Sequence, residues 1–228
     1  MNILLKSARR RLQFTQKQAA DRLGVSQPYF ALLESGKRRL SPSLARRAVE
    51  YLDVSPSVVP CTSTEGKLKA ADLPRQLSAL GYPGFASVRR GWRRNPADVL
   101  LSLVSQEVLE SRVAEALPWV LLRYSDMDQD YLVRQARLRN LSNRLGFVVS
   151  LALGVSERRN PEGSTTYQSL SALEEKQRES RLASEDTFGH PMREAEREWV
   201  RNHRSADAAF WNVLSDWRPE HLQYADTA

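Results

Sequence analysis

Near its N-terminus the chain carries two short apolar-periodic stretches separated by Leu23-Gly24-Val25, and few folds accept that pattern. Thr15 is a good helix N-cap, because its hydroxyl can accept a hydrogen bond from a free backbone N–H. The helix it opens is expected to run to Leu23. Gly24 enters the left-handed region at no steric cost and can end that helix sharply. Ser26 then caps a second helix, and Pro28 falls in its first turn, where a missing N–H does no harm. This helix is expected to stop at Ser35-Gly36. Two helices that cross steeply need a small residue at closest approach, which Ala20 supplies, and a buried residue just past the turn, which Val25 supplies. Phe30 and Leu33 recur at helical spacing as inward residues of the second helix. In physical terms the segment is a helix-turn-helix.

Its flanks fit the same reading. Leu4, Leu5, Ala8 and Leu12 mark a preceding helix, and Ser41-Pro42 opens a following one that carries Leu44, Ala45, Ala48, Val49 and Leu52 inward. With these flanks, residues 2–55 resemble the XRE family, the lambda-repressor and Cro type of DNA-binding domain. The resemblance is carried by Leu5, Arg9, Thr15-Gln16, Ala20, Leu23-Gly24-Val25-Ser26-Gln27, Phe30, Leu33-Glu34 and Gly36. Two positions depart from it: Gln13 stands where the family often has Gly, and Ala19 where it usually has a larger aliphatic. Both bear on packing more than on contact chemistry.

The resemblance implies a DNA-binding head of four or five helices with definite roles. Gln27 matches the position that opens the recognition helix and usually reads a base; a glutamine amide can pair in two places with adenine N6 and N7 in the major groove. Pro28 and Leu32 match neighbouring base-facing positions and are expected to meet thymine methyls, and Tyr29 faces the same side. Thr15, Gln16, Ser26, Lys37, Arg38 and Arg39 match positions that contact the DNA backbone, where N–H groups at the helix starts add to phosphate binding. Arg9 and Glu34 match a structural pair that ties the first helix to the end of the recognition helix.

Charge supports a polyanion partner for this segment independently. Residues 1–55 hold eleven Lys+Arg against four Asp+Glu, a net +7. The whole chain has 34 bases and 27 acids, so the remainder carries 23 of each and is neutral. A basic head on a neutral body is the charge pattern of a nucleic-acid-binding module, although a solvated basic face would look the same. A second basic run, residues 89–94 with Trp92 inside it, reads more readily as a solvated face than as a second DNA site. Arg46 and Arg47 read likewise.

The rest of the chain reads as helical. Residues 55–66 contain Pro56, Pro60 and several Ser/Thr and are expected to form a linker. Beyond it, helices are expected over residues 68–80, from residue 97 to Val113 as one amphipathic helix broken by Pro118 before Trp119, and over 128–154 as one long element. Further helices are expected over 167–182, 192–203 and 206–217, with loops at 158–164 and at Gly189-His190-Pro191. Trp199, Val200, Phe210, Trp211, Leu214 and Trp217 are expected as apolar anchors. No convincing alternating strand pattern is present, so the fold class is all-α: a head at 1–55, a linker at 56–66 and a helical dimerisation or partner-binding domain at 67–228.

Other function classes find little support. The most apolar stretches, residues 117–122 and 147–155, are far shorter than the roughly 18 residues a membrane span needs. Lys6 and Arg9-Arg10-Arg11 follow Ile3-Leu4-Leu5 at once, which is not the order of a secretory signal. The one cysteine, Cys61, cannot form an internal disulfide, and a cytoplasmic protein is expected. His190, His203 and His221 show no metal-ligand spacing with one another or with Cys61. No phosphate loop, dinucleotide-binding glycine pattern or nucleophile elbow occurs. No metal, no cofactor and no enzymatic activity are expected.

The expected function is sequence-specific binding of operator DNA as a transcriptional repressor, by a homodimer on a palindromic site. Residues 115–124 and 134–151 resemble XRE regulators encoded beside nucleotidyltransferase-type toxins, which implies an autoregulating antitoxin-like protein with a toxin as partner. The alternative is a ligand-responsive regulator whose helical body binds a small molecule. A pocket lined by Trp199, Phe210 and Trp211 would favour that alternative, and a broad exposed apolar face would favour the partner protein.

Overall fold

The computed structural model describes residues 2–62, 68–159, 164–188 and 191–228. The regular elements among them are helical, and the β-type contact they show is an isolated parallel bridge between Asp186 and Val213. The chain divides into two compact units, a head of Met1–Ser63 with Arg93–Asn95 and a body of Thr64–Trp92 with Pro96–Ala228.

The head contains four α-helices: α1 (Asn2–Arg11), α2 (Gln16–Leu23), α3 (Gln27–Glu34) and α4 (Pro42–Tyr51). Their caps are the expected ones. The Thr15 hydroxyl accepts from the Gln18 N–H at 3.2 Å while the Gln18 side chain accepts from the Thr15 N–H at 2.8 Å, a reciprocal box that satisfies two end groups at once. Ser26 and Ser41 cap α3 and α4, each with a Pro in the first turn. Gly24 ends α2 at φ +60°, and a β-carbon there would also crowd the Arg47 guanidinium. Leu5, Ala20, Leu23, Phe30, Leu33, Ala48 and Leu52 make the core.

The expected linker is shorter than its Pro and Ser content implies. Pro56–Val58 forms a 3-10 turn, and Val58 and Val59 are buried in the head core. Two adjacent valines between prolines gain more by covering the head than by staying in water. Residues 63–66 of that linker lie outside the described residues.

The body begins with a 3-10 turn at Ala70–Asp72 and α5 (Leu73–Leu80), followed by the turn at Gly81. It continues with α6 (Pro96–Val104), α7 (Ser111–Ala114), α8 (Ala116–Arg123), α9 (Gln129–Leu138), α10 (Ser142–Arg159), α11 (Thr165–Arg178), α12 (Glu194–His203) and α13 (Ala206–Phe210). Helix α10 is its axis, packing against α8, α9, α11 and α13.

Several expected helices are interrupted, each for a physical reason. The helix expected to reach Val113 ends at Val104, whose carbonyl is taken, with that of Gln106, by the Arg144 guanidinium at 3.1 and 2.8 Å. Pro118 does not break α8. It lies in its first turn, where no N–H is required. The long element at 128–154 is two helices, because Asn140 turns left-handed at φ +56° and Leu141 N–H closes on the Ala136 carbonyl. The last helix stops at Phe210 rather than Trp217, since Val213 leaves to bridge with Asp186. The loop expected at 158–164 begins later, Arg158 and Arg159 being the end of α10; residues 160–163, and Gly189 and His190 of the second loop, lie outside the described residues.

The expected apolar anchors separate. Val200, Trp211 and Leu214 are buried, Trp217 is half-buried, and Trp199 and Phe210 are 53% and 37% exposed. Trp211 packs on Gly146, where a β-carbon would overlap its ring, and its indole N–H donates to the Ser150 hydroxyl at 2.8 Å. Ser150 donates in turn to Glu174 at 2.6 Å. Arg178 and Arg181 lie over the Phe210 ring at 5.0 and 4.9 Å. The three aromatic residues 199, 210 and 211 therefore do not line one pocket.

Candidate nucleic-acid interface

Helix α3 presents one face to the head core and leaves the other open. Phe30, Leu33 and Glu34 are buried, whereas Gln27 and Pro28 are exposed and Leu32 is 37% exposed. This is the 3.6-residue period of a half-buried helix. Tyr29 is half-buried, and its ring packs partly against the core, so less of it is open than the expected base-facing role assumes. Ser26 Oγ accepts from the Tyr29 N–H at 3.4 Å and fixes the start of the helix. That start therefore offers an amide at Gln27 and an apolar ring at Pro28, the chemistry a major groove can meet.

The turn after α3 adds charge. Gly36 takes φ +75°, and the Arg38 N–H reaches back to the Leu32 carbonyl at 3.1 Å. This places Lys37, Arg38 and Arg39 in a short, backbone-anchored turn with all three side chains exposed. Such bases suit phosphate oxygens, which reward positive charge without demanding base identity.

Thr15 and Gln16, at the start of α2, are differently placed from one another. Thr15 is exposed and occupied in the capping box. Gln16 is half-buried, and its Nε2 donates to Glu34 Oε2 at 2.7 Å. Glu34 Oε1 accepts from Arg9 Nε at 2.7 Å, and Arg9 Nη1 donates to the Phe14 carbonyl at 2.9 Å. Burial alone would raise the Glu34 pKa. The hydrogen bonds from Arg9 and Gln16 and the charge of Arg9 outweigh it and hold the carboxyl below its ordinary range. The Arg9–Glu34 tie was legible in the sequence, but the third member, Gln16, was not. Eighteen residues separate it from Glu34, and no local pattern marks the meeting.

Two further features of the head escaped sequence reading. Arg22 lies over the Phe14 ring at 5.2 Å, beside a shallow cleft that Gln18 and Asp21 complete. Arg93 comes within 3.7 Å of Asp53, which also pairs with Arg11 at 3.0 Å, and Asn95 Nδ2 donates to the Ser57 and Val59 carbonyls at 3.2 and 2.6 Å. Part of the second basic run thus belongs structurally to the head. The signal available was Asn95-Pro96, which closes the basic run just before α6.

No helix among the described residues is long and apolar enough to cross a membrane. No curated protein and no solved structure matches the chain. The four helices, three of them capped by Thr15, Ser26 and Ser41, the left-handed Gly24 and the exposed start of α3 agree with the family comparison: residues 3–60 match the model of a helix-turn-helix domain, and the head is such a domain, which supports a DNA-binding regulator.

Proposed function

We propose that the protein is a transcriptional repressor that acts by binding a specific operator and has no catalytic role. The observation that carries this reading is the start of α3: Gln27 and Pro28 stand exposed on a capped, core-anchored helix, and Lys37, Arg38 and Arg39 follow in the turn behind it. Gln27 reads a base and Pro28 and Leu32 meet thymine methyls, with Tyr29 beside them. Thr15, Ser26, Lys37, Arg38 and Arg39 position the head on phosphates, and Gln16 does so with the N–H that Glu34 leaves free.

A single head of this size covers half of a typical site, so the working species is a homodimer on a palindrome. The helical body, residues 67–228, is its dimerisation or partner-binding part, and an autoregulating antitoxin-like repressor held by a toxin is the specific form of this reading. A cytoplasmic location fits it. The test is selection of binding sequences from a random duplex pool with the full-length protein. Enrichment of two inverted half-sites about 10 base pairs apart, centre to centre, is expected. Enrichment of no sequence would overturn the reading, and co-purification of the native protein from its source would identify the partner.

A further inference from the structure

In the body, a cleft of about 370 Å³ lies beside α12, lined also by residues 187–188, 191–192 and 214–217. This is within the roughly 300–1,000 Å³ typical of small-molecule sites. Its aromatic lining is Phe188, Trp199 and Trp217, and Val200 and Leu214, both buried, close its floor. Among the described residues its charged lining is Glu196 and Asp216, with neither Lys nor Arg.

That absence of bases is notable on a helix as rich in arginine as α12, and helical spacing accounts for it. Glu196, Trp199 and Val200 share one face of the helix. Arg197, Arg201 and Arg204 share another, where they are drawn to Glu185. Arg201 makes two 2.8 Å hydrogen bonds with that carboxylate and Arg204 comes within 4.0 Å, and the Glu185 carboxyl is held below its ordinary range, first by the Arg201 hydrogen bond against the opposing effect of burial. Arg144, over the Phe188 ring at 5.4 Å, is matched by Asp186 through hydrogen bonds of 2.9 and 2.8 Å from its Nε. Trp199 is held at the cleft by a stack on His203, centroids 4.3 Å apart, and remains 53% exposed.

From this lining we infer that the cleft binds a small organic cation, an ammonium carried on an aromatic or alkyl group. The apolar part fills the floor. The charged head meets indole faces, which attract cations through their quadrupole, and two carboxylates with no Lys or Arg among the described lining residues. A neutral analogue keeps only the apolar contact, and an anion of the same shape is repelled.

Calorimetric titration of the full-length protein with naphthylmethyl-trimethylammonium, naphthalenemethanol and naphthalenesulfonate tests this. The cation should bind at least tenfold more tightly than the alcohol, and the sulfonate most weakly. The double variant Glu196→Gln with Asp216→Asn, both exposed positions, should lose at least tenfold for the cation and leave the alcohol unchanged. Trp199→Ala should weaken cation and alcohol together. No binding of the cation, equal binding of cation and alcohol, or a double variant that holds the cation as the parent does would each overturn the inference. The site stands apart from the DNA reading of the head, and binding of mixed-sequence duplex DNA by the same preparations reports the head separately: either property can fail while the other stands.

Discussion

Gln16 and Glu34, at the start of α2 and the end of α3, are joined by a 2.7 Å hydrogen bond from the Gln16 amide to one carboxylate oxygen, while Arg9 of α1 holds the other. One carboxylate therefore ties three helices of the head. The Arg9 and Glu34 side chains are 16% and 6% exposed, so the pair is shielded from water and from salt.

Removing one member strands the others. Arg9→Ala leaves Glu34 short of its cation and the Phe14 carbonyl short of a donor, and should destabilise the head by about 3 kcal/mol, the lower end of the cost of breaking a buried pair. Gln16→Ala removes a hydrogen bond to a charged group and should cost about 1–3 kcal/mol. Hydrogen exchange of peptides from α1 to α3 is the measurement, and unchanged protection would show that the tie carries no stability.

The same carboxylate gives the head a pH dependence of defined sign. Against the raising effect of burial, the bonds from Arg9 and Gln16 hold Glu34 below its ordinary 4.5 in the folded head. Its contribution is complete above about pH 4.5 and is lost as pH falls through the lower, folded value. Protection in the parent should therefore decline in acid more steeply than in Glu34→Gln, which has no proton to take up there. Parallel pH profiles would remove Glu34 as the source.

Gly24→Ala should destabilise the head by about 1–2 kcal/mol, the cost of a β-carbon in the left-handed region. At φ +60° that strain cannot be avoided, whereas the crowded neighbour, the end of Arg47, is a flexible group that can move aside. Arg47→Ala combined with Gly24→Ala should not recover the loss, and recovery would assign the cost to contact instead of backbone.

The head was legible because its signals are local. Thr15, Ser26 and Ser41 cap within three residues of themselves, and Gly24 sets its turn through its own backbone. Gln27, Pro28, Lys37, Arg38 and Arg39 were found exposed where sequence placed them, while Tyr29 proved partly occupied by packing. The body was legible as helical but not in its interruptions, because distant residues set them. The end of α6 is fixed by Arg144, some forty positions on, and the exit after Phe210 by Asp186. An amphipathic pattern continues through such breaks, so periodicity alone joins what the fold separates.

Base reading and phosphate positioning should separate by mutation. Gln27→Ala should cost about 1–3 kcal/mol at one base position per half-site and relax preference there. Arg38→Ala should weaken binding to all sequences alike and flatten the dependence of log affinity on log salt by about one unit. Titrations against a panel of single-base operator variants at several salt concentrations check both. Uniform loss in Gln27→Ala would make it a positioning residue, and an unchanged slope in Arg38→Ala would remove its phosphate.

Head and body should also divide their work along the line of charge. The +7 resides in residues 1–55, and the remainder is neutral, with 23 bases and 23 acids. A neutral surface exerts little long-range attraction on DNA, but it can bury apolar faces against another protein at small electrostatic cost. A polypeptide of residues 67–228 is therefore expected to self-associate or bind a partner protein and to leave DNA free. The head alone should bind operator more weakly than the full chain, because it loses the second half-site and the effective concentration that linkage provides. Paired titrations against one operator, with sedimentation to read oligomeric state, make the comparison. Tight DNA binding by the body would turn the Arg89 and Arg90 end of the second basic run into a DNA contact. A full chain that sediments as a monomer, free and on DNA, would remove the palindrome.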